Sequence, residues 1–124
     1  GYRQITSNFA TTGSADMTGL NLVCLPAAGL KYRVTGYVGV ASTSVANNGA
    51  AMTINDVTAG ANICTSNGST NASADSDSCQ PTTIKTFGAG TRNIKAIFSK
   101  GTNAATANSN GSATNPNYLL VERI

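Results

Sequence analysis

At 124 residues the chain is long enough for one domain (residues 1–124) with a real core and too short for two. Only 10% of its residues are charged, against roughly 25% in soluble domains. The eight Lys and Arg that give a net charge of +3 are scattered, with no basic run and few aromatics between them, which argues against a nucleic-acid groove.

Hydrophobic residues reach 40% but aromatics only 6%, with no Trp. The core must therefore be thin, as between two β-sheets, or completed by neighbouring copies of the chain. No segment approaches the roughly 18 to 20 apolar residues of a membrane span. The start at Gly1 suits removal of an initiator Met or of a longer N-terminal portion, and Ile5 stands where a myristoylation signal needs Ser or Thr.

Strand-like segments recur at short intervals between Gly, Asn, Ser and Pro, and no stretch keeps a helical period with a cap. The first spans Tyr2 to Phe9, and the second runs from Leu20 to Leu25, ended by Pro26. From Leu30 to Val40 the alternation is regular: Leu30, Tyr32, Val34, Val38 and Val40 share one face, while Lys31, Arg33, Thr35 and Tyr37 take the other. One side of that strand is buried and one is wet. Asn47-Asn48-Gly49 reads as a turn, because Asn and Gly accept positive φ. Strands follow over Ala51 to Asn55, Ala61 to Thr65 and Thr82 to Phe87. After the Gly88-Ala-Gly90 turn comes Arg92 to Ser99, with Ile94, Ala96 and Phe98 inward. A weak strand from Ala104 to Asn108 precedes the Asn110-Gly111 turn, and Tyr118 to Ile124 closes the set.

Eight or nine short strands in one small chain make an all-β protein, a single antiparallel β-sandwich of jelly-roll type. The densest hydrophobic run is the ending "NPNYLLVERI", where chains usually fray. A strand apolar on both faces needs both covered, so Tyr118 to Ile124 is expected to be a central strand. Its second face is covered by another copy around a symmetry axis, or else the strand is buried wholly within one chain. Tyr118, Leu120 and Ile124 are the candidate oligomer contacts, with Tyr37 and Phe98 as lesser ones.

Cys24, in an apolar run, reads as a buried free thiol. Cys64 and Cys79 bracket the polar stretch "TSNGSTNASADSDS". A disulfide closing that loop would contribute about 3 kcal/mol and imply an oxidising surrounding; the alternative is two separate free thiols. The absence of His removes Ser-His-Asp and Cys-His chemistry, and three scattered Cys make no zinc site. Asp75 and Asp77, near Asn71, offer oxygen atoms but lack the Gly and distal Glu of a helix-loop-helix calcium site. N-x-S acceptors occur at Asn67, Asn71 and Asn110 and arise easily in so Asn- and Ser-rich a chain. No metal, cofactor or catalytic set is implied, and the expectation is a non-enzymatic protein.

The segments "GYRQITSN", "MTGLNLVCLPAAGLKYRVTGYVGVAST", "GAGTRNIKAIFSKGT" and "SATNPNYLLVERI", in this order, resemble the compact β-domains of tailed-phage virion proteins, which have the jelly-roll topology of C1q and tumour necrosis factor. The resemblance implies a homotrimer with the final strand near the three-fold axis, serving as capsid decoration or as a tail or fibre tip. The leading expectation is a cement protein on the virion surface, partnered by itself and by the major capsid protein or other virion proteins. The second is a tail-fibre tip that recognises a host surface glycan through loops carrying Asn47, Asn48, Asn67, Asn71, Asp75 and Asp77, and the third is a cellular adhesin or filament subunit that grows by strand addition. The long Cys64 to Cys79 stretch departs from the family pattern and makes that end particular to this chain.

Overall fold

The computed structural model describes residues 1–40, 48–70, 77–101 and 106–124. Their strands are, in chain order, β1 (Tyr2–Ile5), β2 (Ala10–Thr11), β3 (Ser14–Cys24), β4 (Lys31–Val40), β5 (Asn48–Asp56), β6 (Ala61–Thr70), β7 (Asp77–Cys79), β8 (Thr82–Thr86), β9 (Arg92–Lys100), β10 (Ala107–Asn108) and β11 (Asn117–Arg123). All pairings among them are antiparallel.

One sheet runs β1-β11-β4, with β8 on the N-terminal half of β4 and β7 on its C-terminal half. Between those two contacts Gly36 N donates to the Pro81 carbonyl at 2.8 Å, so β7 and β8 act as one edge strand interrupted at Gln80-Pro81. Proline, with no N–H to give, is confined to such edges. The second sheet runs β3-β9-β5-β6, and β2 pairs with β10 in a short ladder beside it.

The sheets face each other across two apolar clusters. Met17, Leu20, Val38, Met52, Cys79 and Phe98 lead the first, and Leu22, Val34, Ile54, Ile94, Leu119 and Val121 the second. Each cluster takes side chains from both sheets, as alternating strands with one apolar face require. With so few aromatics the layer is filled by flexible and branched side chains, and backbone gives way where they are long. A Cβ on Gly36 would come within 2.5 Å of Met52 Cε, so this glycine in β4 makes room for the methionine reaching across from β5.

Four segments differ from the sequence expectation. The first strand, expected over Tyr2 to Phe9, ends at Ile5. Strand β3 starts at Ser14, well before Leu20, because its pairing with β9 shifts between Asp16 and Asn21. Gly19 adopts φ +90° within that irregularity, and Met17 and Leu20, three apart, both turn inward. A bulge of this kind breaks the period of two that marks a strand. Asn48-Gly49, expected in a turn, belongs to β5, paired with Thr70 and Ser69. Strand β6 continues through Asn67 to Thr70, and Asp77 opens β7, so much of the expected polar loop is ladder. Asn47, Asn71, Asp75 and the first residues of the expected Ala104 to Asn108 strand lie outside the described residues.

Candidate interaction face

The final strand β11 lies between β1 and β4. Its odd positions Leu119 and Val121 are buried in the core, which leaves Tyr118, Leu120 and Glu122 on the opposite face. Register places neighbours beside them: Tyr2 opposite Leu120 and Gln4 opposite Tyr118 on β1, then Tyr37, Thr35 and Arg33 opposite Tyr118, Leu120 and Glu122 on β4. On β8, Thr82 and Ile84 lie opposite Thr35 and Arg33. Directly opposed side chains on one face touch, and here they form a continuous surface of tyrosine, leucine, isoleucine and threonine.

Its centre is aromatic. Tyr37 stacks on Tyr118 with ring centroids 5.7 Å apart and planes 12° from parallel, and Tyr2 flanks Tyr118 at 5.9 Å. The Thr35 and Thr82 hydroxyls bond at 3.0 Å, and Tyr2 donates to Gln4 Oε1 at 2.8 Å. Tyr2 is 47% and Ile84 59% exposed, and Leu120 is half-buried. The Arg33–Glu122 ion pair, 2.9 Å with both partners well exposed, closes one margin; such a pair contributes at most about 1 kcal/mol. The face is thus largely apolar at its centre, with Lys31, Arg33 and Glu122 toward one margin.

Asn117 anchors the start of β11 and carries no surface role. Fully buried, it accepts from Gly39 N at 3.1 Å and donates to Ser109 Oγ at 3.1 Å, and that hydroxyl accepts from Phe9 N at 2.8 Å. Asn117→Ala strands the Gly39 N–H, a loss of about 1–3 kcal/mol. A lower denaturation midpoint at unchanged m would show it. In the "NPN" of the sequence nothing marks the second Asn as buried.

Of the sequence candidates, Tyr118, Leu120 and Tyr37 share this face, and Ile124, 55% exposed, extends the series beyond the strand end, with its N–H bonded to the Lys31 carbonyl at 3.2 Å. Phe98 does not belong with them. It is fully buried on β9 of the other sheet, edge-on to Phe9 at 6.3 Å, because the alternation that puts Ile94 and Ala96 inward carries it inward too.

The cysteines are all free. Cys64 lies opposite Ile54 and packs at the edge of the second cluster, whereas Cys79 lies opposite Val38 inside the first. The expected bridge is therefore absent: ladder pairing, not a covalent link, organises this stretch. Cys24 is half-buried rather than buried. Burial pushes the Cys79 thiol up to about 11, and it raises the Cys24 and Cys64 thiols as well. Since only the thiolate alkylates, iodoacetamide at neutral pH should label Cys24 and Cys64 slowly and Cys79 only on unfolding. Reducing agent should leave the melting temperature unchanged; a fall would restore the disulfide.

Asn67 is exposed on β6 opposite Ala51. Asp77 is exposed, but its Oδ2 accepts from Ser69 N at 2.6 Å and its Oδ1 from Ser78 N at 2.8 Å, so its carboxylate ties β7 to β6. Among the described residues no three of His, Cys, Asp and Glu come together as a metal centre would need. The least predictable polar feature is the Asp56–Arg92 pair at 3.6 Å, both side chains largely buried, with Asp56 Oδ1 also accepting from Ala59 N at 3.0 Å. It closes the turn between β5 and β6 and offers no open site. No family model and no curated protein matches the chain.

Proposed function

We propose that this chain is a non-enzymatic structural protein of a phage virion, a homotrimer that decorates the capsid and stabilises the head. The observation that carries the reading is the outer face of the β1-β11-β4-β8 sheet, with its stacked tyrosines, Leu120 and Ile84. An apolar surface on a central strand is costly to leave in water, and three copies around an axis cover it without leaving an open end. The strand order supports the jelly-roll part. Counting β7 and β8 as one edge strand and leaving out the two-residue β2 and β10, the first, eighth, third and sixth strands make one sheet, and the second, seventh, fourth and fifth the other. That is the order of two interleaved Greek keys.

The trimer would act mechanically. Each copy adds buried area across joints between capsid subunits, so pressure from within must break further contacts before the shell opens. The first test is the native mass in solution by light scattering: a trimer supports the reading, and a stable monomer of 12.5 kDa removes it.

A second reading, a tail-fibre domain that recognises a host surface glycan, is favoured by a polar pocket of about 290 Å³ beside Tyr37.

A further inference from the structure

The pocket lies where the outer face of the first sheet meets the end carrying β7. Its walls are Tyr37 and Gly39 of β4, Asp77 and Ser78 of β7, and Asn110 and Asn115 from the segment between β10 and β11. Asp77, Asn115 and the Asn110 backbone are already held by other groups. Asp77 is pinned by the Ser69 and Ser78 N–H groups. Asn115 donates to the Tyr37 hydroxyl at 3.1 Å, and its backbone exchanges bonds with Ser112, N–H to Ser112 Oγ and carbonyl to Ser112 N, both 3.1 Å. Asn110 N donates to the Gly39 carbonyl at 3.1 Å, and its side chain lies so close over Gly39 that a Cβ there would collide with Oδ1. The Tyr37 ring plane is set by Tyr118 behind it.

We infer that this pocket binds one pyranose residue of a neutral glycan, with Asp77, Asn110 and Asn115 taking its hydroxyls and Tyr37 forming the apolar wall. The inference rests on the second reading for the class of ligand, and it names the site.

The donor and acceptor inventory selects that class. A carboxylate has about four lone-pair positions, and the two N–H bonds to Asp77 leave it able to accept from adjacent hydroxyls. The two amides and Ser78 each offer both a donor and an acceptor, which suits a hydroxyl that gives and takes. Among the described residues no cation lines the pocket, which disfavours phosphate, sulfate and uronate. A calcium ion wants about six to eight oxygen atoms, and among the described residues Asp77 is the one carboxylate in the lining. The volume is just below the roughly 300–1,000 Å³ of drug-sized sites, room for a single ring. Because the walls are fixed beforehand, little ordering cost is added on binding.

The test is a titration of the full ¹⁵N-labelled chain, in its native oligomeric state, with glucose, galactose, mannose, rhamnose and N-acetylglucosamine, then with their methyl glycosides, and separately with calcium chloride. At least one sugar and its methyl glycoside should shift the backbone amides of Gly39, Ser78 and Asn110 and the Asn115 side-chain amide, saturating at millimolar concentration. Asn110→Ala, at an exposed position, should weaken that binding about tenfold, the loss of one good hydrogen bond, as should Asp77→Asn if it remains folded by circular dichroism. The inference is overturned if no sugar gives a saturable shift, if Asn110→Ala leaves the affinity unchanged, if only the free reducing sugar binds, or if calcium alone moves these resonances. Light scattering on the same samples keeps the readings apart. A sugar whose saturable shifts fall only on other residues sinks this pocket and leaves the second reading standing, no saturable shift from any sugar sinks both, and a sugar-binding monomer sinks the trimer alone.

Discussion

Leu120→Asp is expected to reduce the native mass from three times 12.5 kDa to 12.5 kDa while leaving the far-ultraviolet circular dichroism of a β-protein in place. Leu120 sits in the middle of the outer face, with Tyr2 across from it on β1 and Thr35 on β4. Within one chain it is half-buried and points away from the core. An aspartate there therefore costs the monomer little, about 1 kcal/mol or less for a position of this kind. At a three-fold axis the same change brings three carboxylates together in a surface that water has left. Each such unpaired charge costs several kcal/mol, more than one leucine contact contributes. The substitution thus separates folding from association. A variant that stays trimeric would place the contact elsewhere, and one that unfolds as a chain would show that Leu120 supports the core after all. Leu120→Ala should give an intermediate result, weaker association that concentration restores.

How much of this was legible in the sequence depended on whether local pattern and tertiary demand agreed. The strands Leu30 to Val40 and Arg92 to Ser99 alternate cleanly, and their ladders β4 and β9 follow the expected bounds within a residue or so. The central place of β11 was legible because an apolar chain end in so polar a sequence needs cover on both sides. The first half of β3 was hidden by the bulge at Gly19, which lets Met17 and Leu20 face inward out of phase. The Asn47-Asn48-Gly49 turn misled for a different reason. Positive φ is something these residues permit, not something they demand, and Asn48-Gly49 was drawn into the β5–β6 ladder opposite Thr70 and Ser69. The disulfide failed on geometry that spacing does not carry, since Cys64 and Cys79 serve different clusters. The pocket was half visible: Tyr37 and Asp77 stood out, but their meeting with Asn110 and Asn115 depends on a crossing that no local signal records.

Phe98→Ala is expected to destabilise the chain by about 3–5 kcal/mol, the usual loss for removing a buried phenylalanine. The ring has no exposed surface and lies between the sheets. Register puts Met52 of β5 and Ala15 of β3 on either side of it, Phe9 meets it edge-on, and Val38 and Leu20 belong to the same cluster. Ala15 on one flank is too small to fill the void, and Met52 on the other can close it only in part. A domain of this size has only about 5–15 kcal/mol in total, so Phe98→Ala should fall by a large fraction of its guanidinium midpoint or fail to fold, whereas Phe98→Leu, which keeps most of the volume, should lose about 1.5 kcal/mol or less. The informative comparison is the mass of the folded Phe98→Leu protein. A core residue changes stability without changing what the surface recognises, so that mass should equal the wild-type value where the Leu120→Asp mass does not. If Phe98→Leu instead kept full stability and lost the oligomer, the side chain would have to reach a partner, and the inward facing of β9 would be wrong.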